Sequence, residues 1–149
     1  MNNEFISVGN TLKKIYRLYS LDVLEKLQNM GHEGLTYSYL EVISFICENE
    51  GESIKTIGSS LGLKKQTMTN HISELEKRGF IERRKNPNDA RSLEIFLTEG
   101  GYNLRKHLEE VISEVEKDYE NLIGGVELER LRHSLSLMES RLERRGQLF

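Results

Sequence analysis

At 149 residues, with 37% hydrophobic and 30% charged side chains, the chain is long enough for one core and short for two domains. Its lone cysteine, Cys47, excludes an intrachain disulfide and a Cys-x-x-Cys metal site, and no apolar run approaches the roughly 20 residues of a membrane span. The net charge of −3 hides a segregation: Ser53 to Arg91 holds nine Lys and Arg against four Asp and Glu, a local +5 that leaves −8 elsewhere.

From Glu4 to about Asn29, Phe5, Val8, Leu12, Ile15, Tyr16, Tyr19, Val23 and Leu27 recur at helical spacing, and Gly31 and Gly34 end that helix. Its length exceeds the usual globular helix. A second helix is predicted from near Thr36 to about Glu48, with Leu40, Ile43, Phe45, Ile46 and Cys47 mostly inward. Asn49-Glu50-Gly51-Glu52 reads as a break. Two short helices follow. The first begins at Ser53 or at Lys55-Thr56 and carries Ile54, Ile57 and Leu61; Gly62 forms the turn and Leu63 a buried plug. The second runs from about Lys65 to Arg78 with Met68, Ile72 and Leu75 on one face, and Gly79 stops it where glycine alone adopts φ > 0 without strain. Helix, glycine turn and helix form a helix-turn-helix pattern over 53–78.

The period then changes from helical to extended. Phe80, Ile81 and Arg83 lead into a basic tip, and Leu93-Glu94-Ile95-Phe96-Leu97 returns with β-type residues, so two antiparallel strands are expected over 80–98. Asn86-Pro87-Asn88-Asp89, which holds the chain's single proline, suits a type I turn. Thr98 is placed to cap a long helix through Leu104, Leu108, Val111, Ile112, Val115, Tyr119 and Leu122 to about Ile123, with Gly100 and Gly101 in its weak first turn. Gly124-Gly125 breaks it. A last helix carries Leu128, Leu131, Leu135, Met138 and Leu142 as a heptad-like seam.

The second helix of the helix-turn-helix presents Lys65, Gln66, Thr69, Asn70, Ser73 and Lys77 opposite its apolar face. Short polar and amide side chains of this kind reach base edges in a major groove. Lys55, Lys64, Lys65 and the helix amino terminus suit phosphate oxygens. On the hairpin, Arg83, Arg84 and Lys85 are expected to meet phosphates, and Asp89 to ion-pair with Arg91 and aim its guanidinium into a minor groove. A solvated amphipathic surface and a surface salt bridge are the bland alternatives for the same residues.

The segment Leu75-Glu76-Lys77-Arg78-Gly79-Phe80-Ile81-Glu82-Arg83, then Asn86-Pro87-Asn88-Asp89-x-Arg91, then Ile95-x-Leu97-Thr98, resembles the MarR family of bacterial transcriptional regulators. The similarity is clearest from Ile54 to Gly101. It implies a mainly α fold: a winged helix-turn-helix lobe at 36–101 with a two-stranded wing, flanked by helices 1–34 and 102–149 that form a dimerisation domain. It further implies a homodimer on palindromic double-stranded DNA, a repressor relieved by a ligand or other signal. Gln66, Thr67, Thr69 and Asn70 fall at its base-reading positions, and Asp89 and Arg91 at its wing positions. Asn70 and Glu74 depart from it, standing where the family often has arginine; Glu74 is expected to repel phosphate.

Family members of this kind often bind small aromatic or amphipathic effectors. Tyr16, Tyr19, His32, Tyr37, Tyr39 and Phe45 are the candidates here, with core or interface packing as the competing role. Cys47 is either an oxidant sensor or a small buried hydrophobe. The histidines lack ligand spacing and no enzyme signature is present, so neither metal, cofactor nor catalysis is expected. With no basic-then-apolar leader, the expected location is the cytoplasm. The alternative from another class is a winged-helix protein-interaction module that does not bind DNA.

Overall fold

Several of the described helix ends lie where side chains or glycines satisfy the backbone groups a helix leaves unpaired. The computed structural model describes residues 7–146. In chain order it contains α1 (Val8–Asn29), α2 (Tyr37–Glu48), α3 (Ile54–Leu61), α4 (Lys65–Lys77), β1 (Ile81–Asn86), β2 (Asp89–Leu97), α5 (Glu99–Ile123) and α6 (Gly125–Gly146). The Oγ atoms of Ser7 and Ser53 accept from the N–H groups of Asn10 and Thr56 and start α1 and α3. The expected start of the first helix at Glu4, and Phe5 on its stripe, lie outside the described residues.

The helix-turn-helix is punctuated twice by the same motif. After α3, Gly62 (φ +66°) lets its own N–H reach Ser59 O and the N–H of Leu63 reach Gly58 O at 2.9 Å. After α4, Gly79 (φ +83°) does the same toward Glu76 O, and Phe80 toward Leu75 O at 3.1 Å. Each pairing satisfies carbonyls at the end of its helix. Leu63 is half-buried, which corrects the buried plug expected from sequence. Its main chain closes α3, and its side chain remains partly open to solvent.

β1 and β2 pair antiparallel, with Ile81 opposite Leu97, Arg83 opposite Ile95 and Lys85 opposite Leu93. Ile81, Ile95 and Leu97 face the core. Pro87 and Asn88 form the turn, both with negative φ, and Asn88 N–H donates to Asn86 Oδ1 at 2.8 Å. The segment expected to be a break does more than connect. Gly51 N–H donates to Ile95 O, Ile95 N–H donates to Glu52 O, and Ser53 bridges Glu94, so this linker lies along β2.

Two compact units result, one ending at Val111 and one beginning at Ile112. In the first, Val23 and Leu27 of α1, Ile43 and Ile46 of α2, Ile57 of α3, Met68, Ile72 and Leu75 of α4, and Leu104 and Val111 of α5 are buried together with the inner face of the hairpin. In the second, Val115 and Leu128 are buried. No described helix is long and apolar enough to cross a membrane.

Candidate nucleic-acid interface

The amino ends of α3 and α4 and the tip of the hairpin surround one open groove of about 760 Å³. Of the residues singled out from sequence, it collects Lys55, Lys65, Thr69, Asp89 and Arg91, together with Ser53, Ser59 and Ser92. Met68, buried toward the core, forms part of its floor. Lys64, Gln66, Asn70, Ser73 and Lys77 are exposed on the same helix or at its start, outside the groove lining. Thr67 is half-buried and shares the stripe of His71, Glu74 and Arg78.

Three of the polar side chains on α4 are ordered within the helix itself. Gln66 Nε2 donates to Asn70 Oδ1 at 3.2 Å, and Thr69 Oγ1 donates to Lys65 O at 2.9 Å. An acceptor and donor pair held four residues apart on an exposed face is suited to base-edge hydrogen bonding.

The hairpin departs from expectation in how its charges are arranged. Asp89 accepts from the backbone N–H of Arg91 at 3.0 Å, which replaces the expected carboxylate–guanidinium ion pair. Between the pairs Lys85–Leu93 and Asn86–Asp89 the register shifts, leaving Ala90, Arg91 and Ser92 as extra residues on β2. Arg91 is therefore presented by a bulge, a device that re-aims a side chain at a strand's end. Arg83 turns back onto α4, with Nη2 donating to Ser73 Oγ at 3.3 Å and Nε 3.2 Å from Glu76 Oε2. Arg84 stacks 4.2 Å over the Phe96 ring and donates to Glu82. Lys85 is exposed.

Four of the six effector candidates make ring contacts. Tyr16 and Tyr37 meet edge to face at 5.7 Å, and burial and the adjacent Tyr16 push the Tyr37 hydroxyl's pKa up. Tyr39 packs on His71 at 4.9 Å. His32 shares a 2.7 Å hydrogen bond with His107, 75 residues away, and its pKa is lowered by burial and by that neighbour. Tyr19 and Phe45 are half-buried. Cys47 is buried, and desolvation pushes its thiol up to about 11, leaving it protonated at neutral pH.

Sequence reasoning missed two polar centres. Glu50 accepts from Leu97 N–H at 2.8 Å and from the Tyr102 hydroxyl, tying the linker to the exit of the wing. Arg78 bonds Glu74 and two carbonyls of the α1–α2 loop. The basic character of Arg78 was visible, but the partners on the loop lie 44 and 45 residues away in sequence.

A helix-turn-helix followed by a bulged, basic two-stranded hairpin is a winged helix-turn-helix. The MarR family model matches residues 35–93, spanning α2 through most of the hairpin. HTH-type transcriptional regulator SarZ of Staphylococcus haemolyticus is 35% identical over 114 residues, covering 76% of this chain and 78% of its own length. MarR from E. coli in its apo form superimposes with a TM-score of 0.77 at 19% identity, over 91% of this chain and 98% of that one. The transcriptional repressor CouR, bound to a 23-mer DNA duplex, gives a TM-score of 0.73 at 22% identity, over 89% and 92% of the two chains. The chain belongs to the MarR family and is a transcriptional regulator, in a family whose relatives are named regulators and not enzymes.

Proposed function

We propose that the chain is a homodimeric, sequence-specific DNA-binding repressor of a palindromic operator, relieved by a small aromatic or amphipathic effector and acting in the cytoplasm. The observation that carries this reading is the groove in which Lys55, Lys65, Thr69 and Arg91 converge from three elements. In this reading α4 enters the major groove, with Gln66, Thr67, Thr69, Asn70 and Ser73 toward base edges. Lys55, Lys64, Lys65, Lys77 and Lys85 meet phosphate. Arg91 reaches a minor groove, and Arg83 and Arg84 support the wing from its two sides. A solved relative of the same fold is described as a repressor on a DNA duplex, which supports the assignment.

Dimerisation is supported by apolar side chains left open on single helices: Ile15, Leu18 and Leu21 on α1, and Leu131, Leu135, Met138 and Leu142 on α6. Two-fold symmetry would set the two α4 helices about 34–36 Å apart, one DNA turn. The exposed Tyr16–Tyr37 pair is the proposed contact for an effector. Burial and the raised thiol of Cys47 weigh against oxidant sensing there.

Selection from a random duplex pool, followed by anisotropy titration across salt, tests the reading. A selected duplex should bind with log K falling linearly in log salt by about 0.9 per phosphate contacted. Salt-insensitive binding, or no selected sequence, would leave a protein-interaction module as the better description.

A further inference from the structure

Glu74 lies on α4, half-buried, one turn beyond Asn70. As a free carboxylate on a helix that enters DNA it would oppose binding. It is not free. Glu74 Oε1 accepts from Arg78 Nε at 3.1 Å, and the two side chains keep 34% and 27% of their exposure. The rest of the same guanidinium is committed elsewhere: Nη1 donates to Glu33 O and Nη2 to Gly34 O, both at 3.0 Å. Its Cζ also lies 5.8 Å from the Tyr39 ring centroid. A planar fork with fixed donors suits such a two-carbonyl seat, and a lysine ammonium does not reproduce it.

The seat is shaped for this side chain. Gly34 has φ +79°, and a Cβ there would lie 3.0 Å from Nη2 and 3.1 Å from Nη1. The loop that offers the carbonyls is also held by the His32–His107 hydrogen bond, and the His32 ring lies 6.1 Å from that of Phe80 at the start of the wing. The C-terminus of α4 is thus fastened, through Arg78, to a loop that is itself fastened to α5.

We propose that Glu74 and Arg78 are positioning residues for α4, a clamp that fixes the helix's direction for base contact and takes no part in phosphate binding. This rests on the DNA-binding reading of α4 above. The clamp also explains why an acid is tolerated on that helix: its charge is answered by Arg78, and its task is to orient the guanidinium.

The sign of one substitution separates the clamp from a mere surface charge. Operator and non-specific duplex affinities are measured by anisotropy across salt for the full-length wild type and for Glu74→Gln, Arg78→Gln and Arg78→Lys, with a thermal melt for each. Glu74→Gln removes a negative charge, yet it should weaken operator binding by about fivefold or more. Non-specific affinity should stay within about twofold, and the salt slope should be unchanged. Arg78→Gln should behave alike, and Arg78→Lys should not rescue it, because charge without the fork leaves the carbonyls unheld. Operator binding by Glu74→Gln equal to or tighter than wild type overturns the clamp. So does recovery by Arg78→Lys, or an Arg78→Gln loss that is equal on both duplexes with a slope smaller by about 1, the mark of a phosphate contact. If Arg78→Gln melts before it can be titrated, the Glu74→Gln and Arg78→Lys results decide alone. A wild type that binds no duplex overturns the DNA-binding reading, an outcome distinct from wild-type binding with an unaffected variant.

Discussion

At the tip of the wing, Asp89 acts on Arg91 through the main chain: its carboxylate caps the Arg91 N–H and stabilises the bulge that presents the side chain. The two residues should therefore separate in mutation. Arg91→Ala should weaken operator binding by about 1–3 kcal/mol with an unchanged melting temperature. Asp89→Asn keeps an acceptor for the amide and should bind nearly as wild type, whereas an ion pair to the guanidinium would be lost; an anisotropy titration of both variants reads the difference. His32 makes a second residue-scale prediction. Its pKa lies below the ordinary 6.5 because of burial and the adjacent His107. The unfolded chain then binds more protons in the interval between the two values, so this contribution to stability is complete above about pH 6.5 and declines as pH falls through the folded-state value. In melts between pH 5 and 8, His32→Gln should show a shallower decline below pH 6.5 than wild type. Parallel curves would mean that His32 does not titrate as placed.

The helix-turn-helix and the wing were legible as elements because each carries its own period and its own stop. Met68, Ile72 and Leu75 recur as one face of α4, Gly62 and Gly79 end their helices, and Asn86-Pro87-Asn88 turns the hairpin. What was illegible depends on partners distant in sequence. Asn49 to Glu52 has no alternating pattern, so its pairing along β2 was read as a break; Glu50 is defined by Leu97 and Tyr102, 47 and 52 residues away. The partners of Arg78 and Arg83 were hidden for the same reason: Glu33 and Gly34 lie 45 and 44 residues from Arg78, and Ser73 lies on another element, 10 residues from Arg83. The junction of the wing with α5 was half legible: Thr98 does cap the helix, its Oγ1 accepting from Gly101 N–H at 3.1 Å. The need for glycine there comes from the Gly79–Phe80 corner, since a Cβ on Gly101 would lie 2.1 Å from Phe80 O. Gly101→Ala should destabilise by about 3 kcal/mol, the upper end of overpacking costs. Gly9→Ala on α1, where a Cβ meets nothing within 4 Å, should stabilise by about 0.5–1 kcal/mol. Urea titrations of the pair would refute this account of the corner if both changes were small and alike.

At the scale of the whole molecule, apolar surface decides the expected assembly. On α6, Leu128 is buried, while Leu131, Leu135, Met138 and Leu142, the rest of the heptad-like seam, stay between 40% and 45% exposed. Fully burying a leucine or methionine side chain contributes roughly 1.5–3 kcal/mol, so covering the part of each that is still exposed would add roughly 1 kcal/mol per residue, a driving force for the proposed pairing with a second copy. Such a seam aligns only if the helix is long, and α6 runs for 22 residues. A charge in its middle would have to be desolvated in the dimer and would remain hydrated in the monomer, so its cost falls on association more than on the fold of one chain. Leu131→Asp and Leu135→Asp should each shift sedimentation toward the monomer. Operator affinity should fall with them, because each monomer then engages one half-site without the other. The winged-helix unit, which ends at Val111, should retain its melting transition. A dimeric profile for both variants would place the interface away from this seam, and monomers with undiminished operator affinity would remove two-fold symmetry from the binding mode.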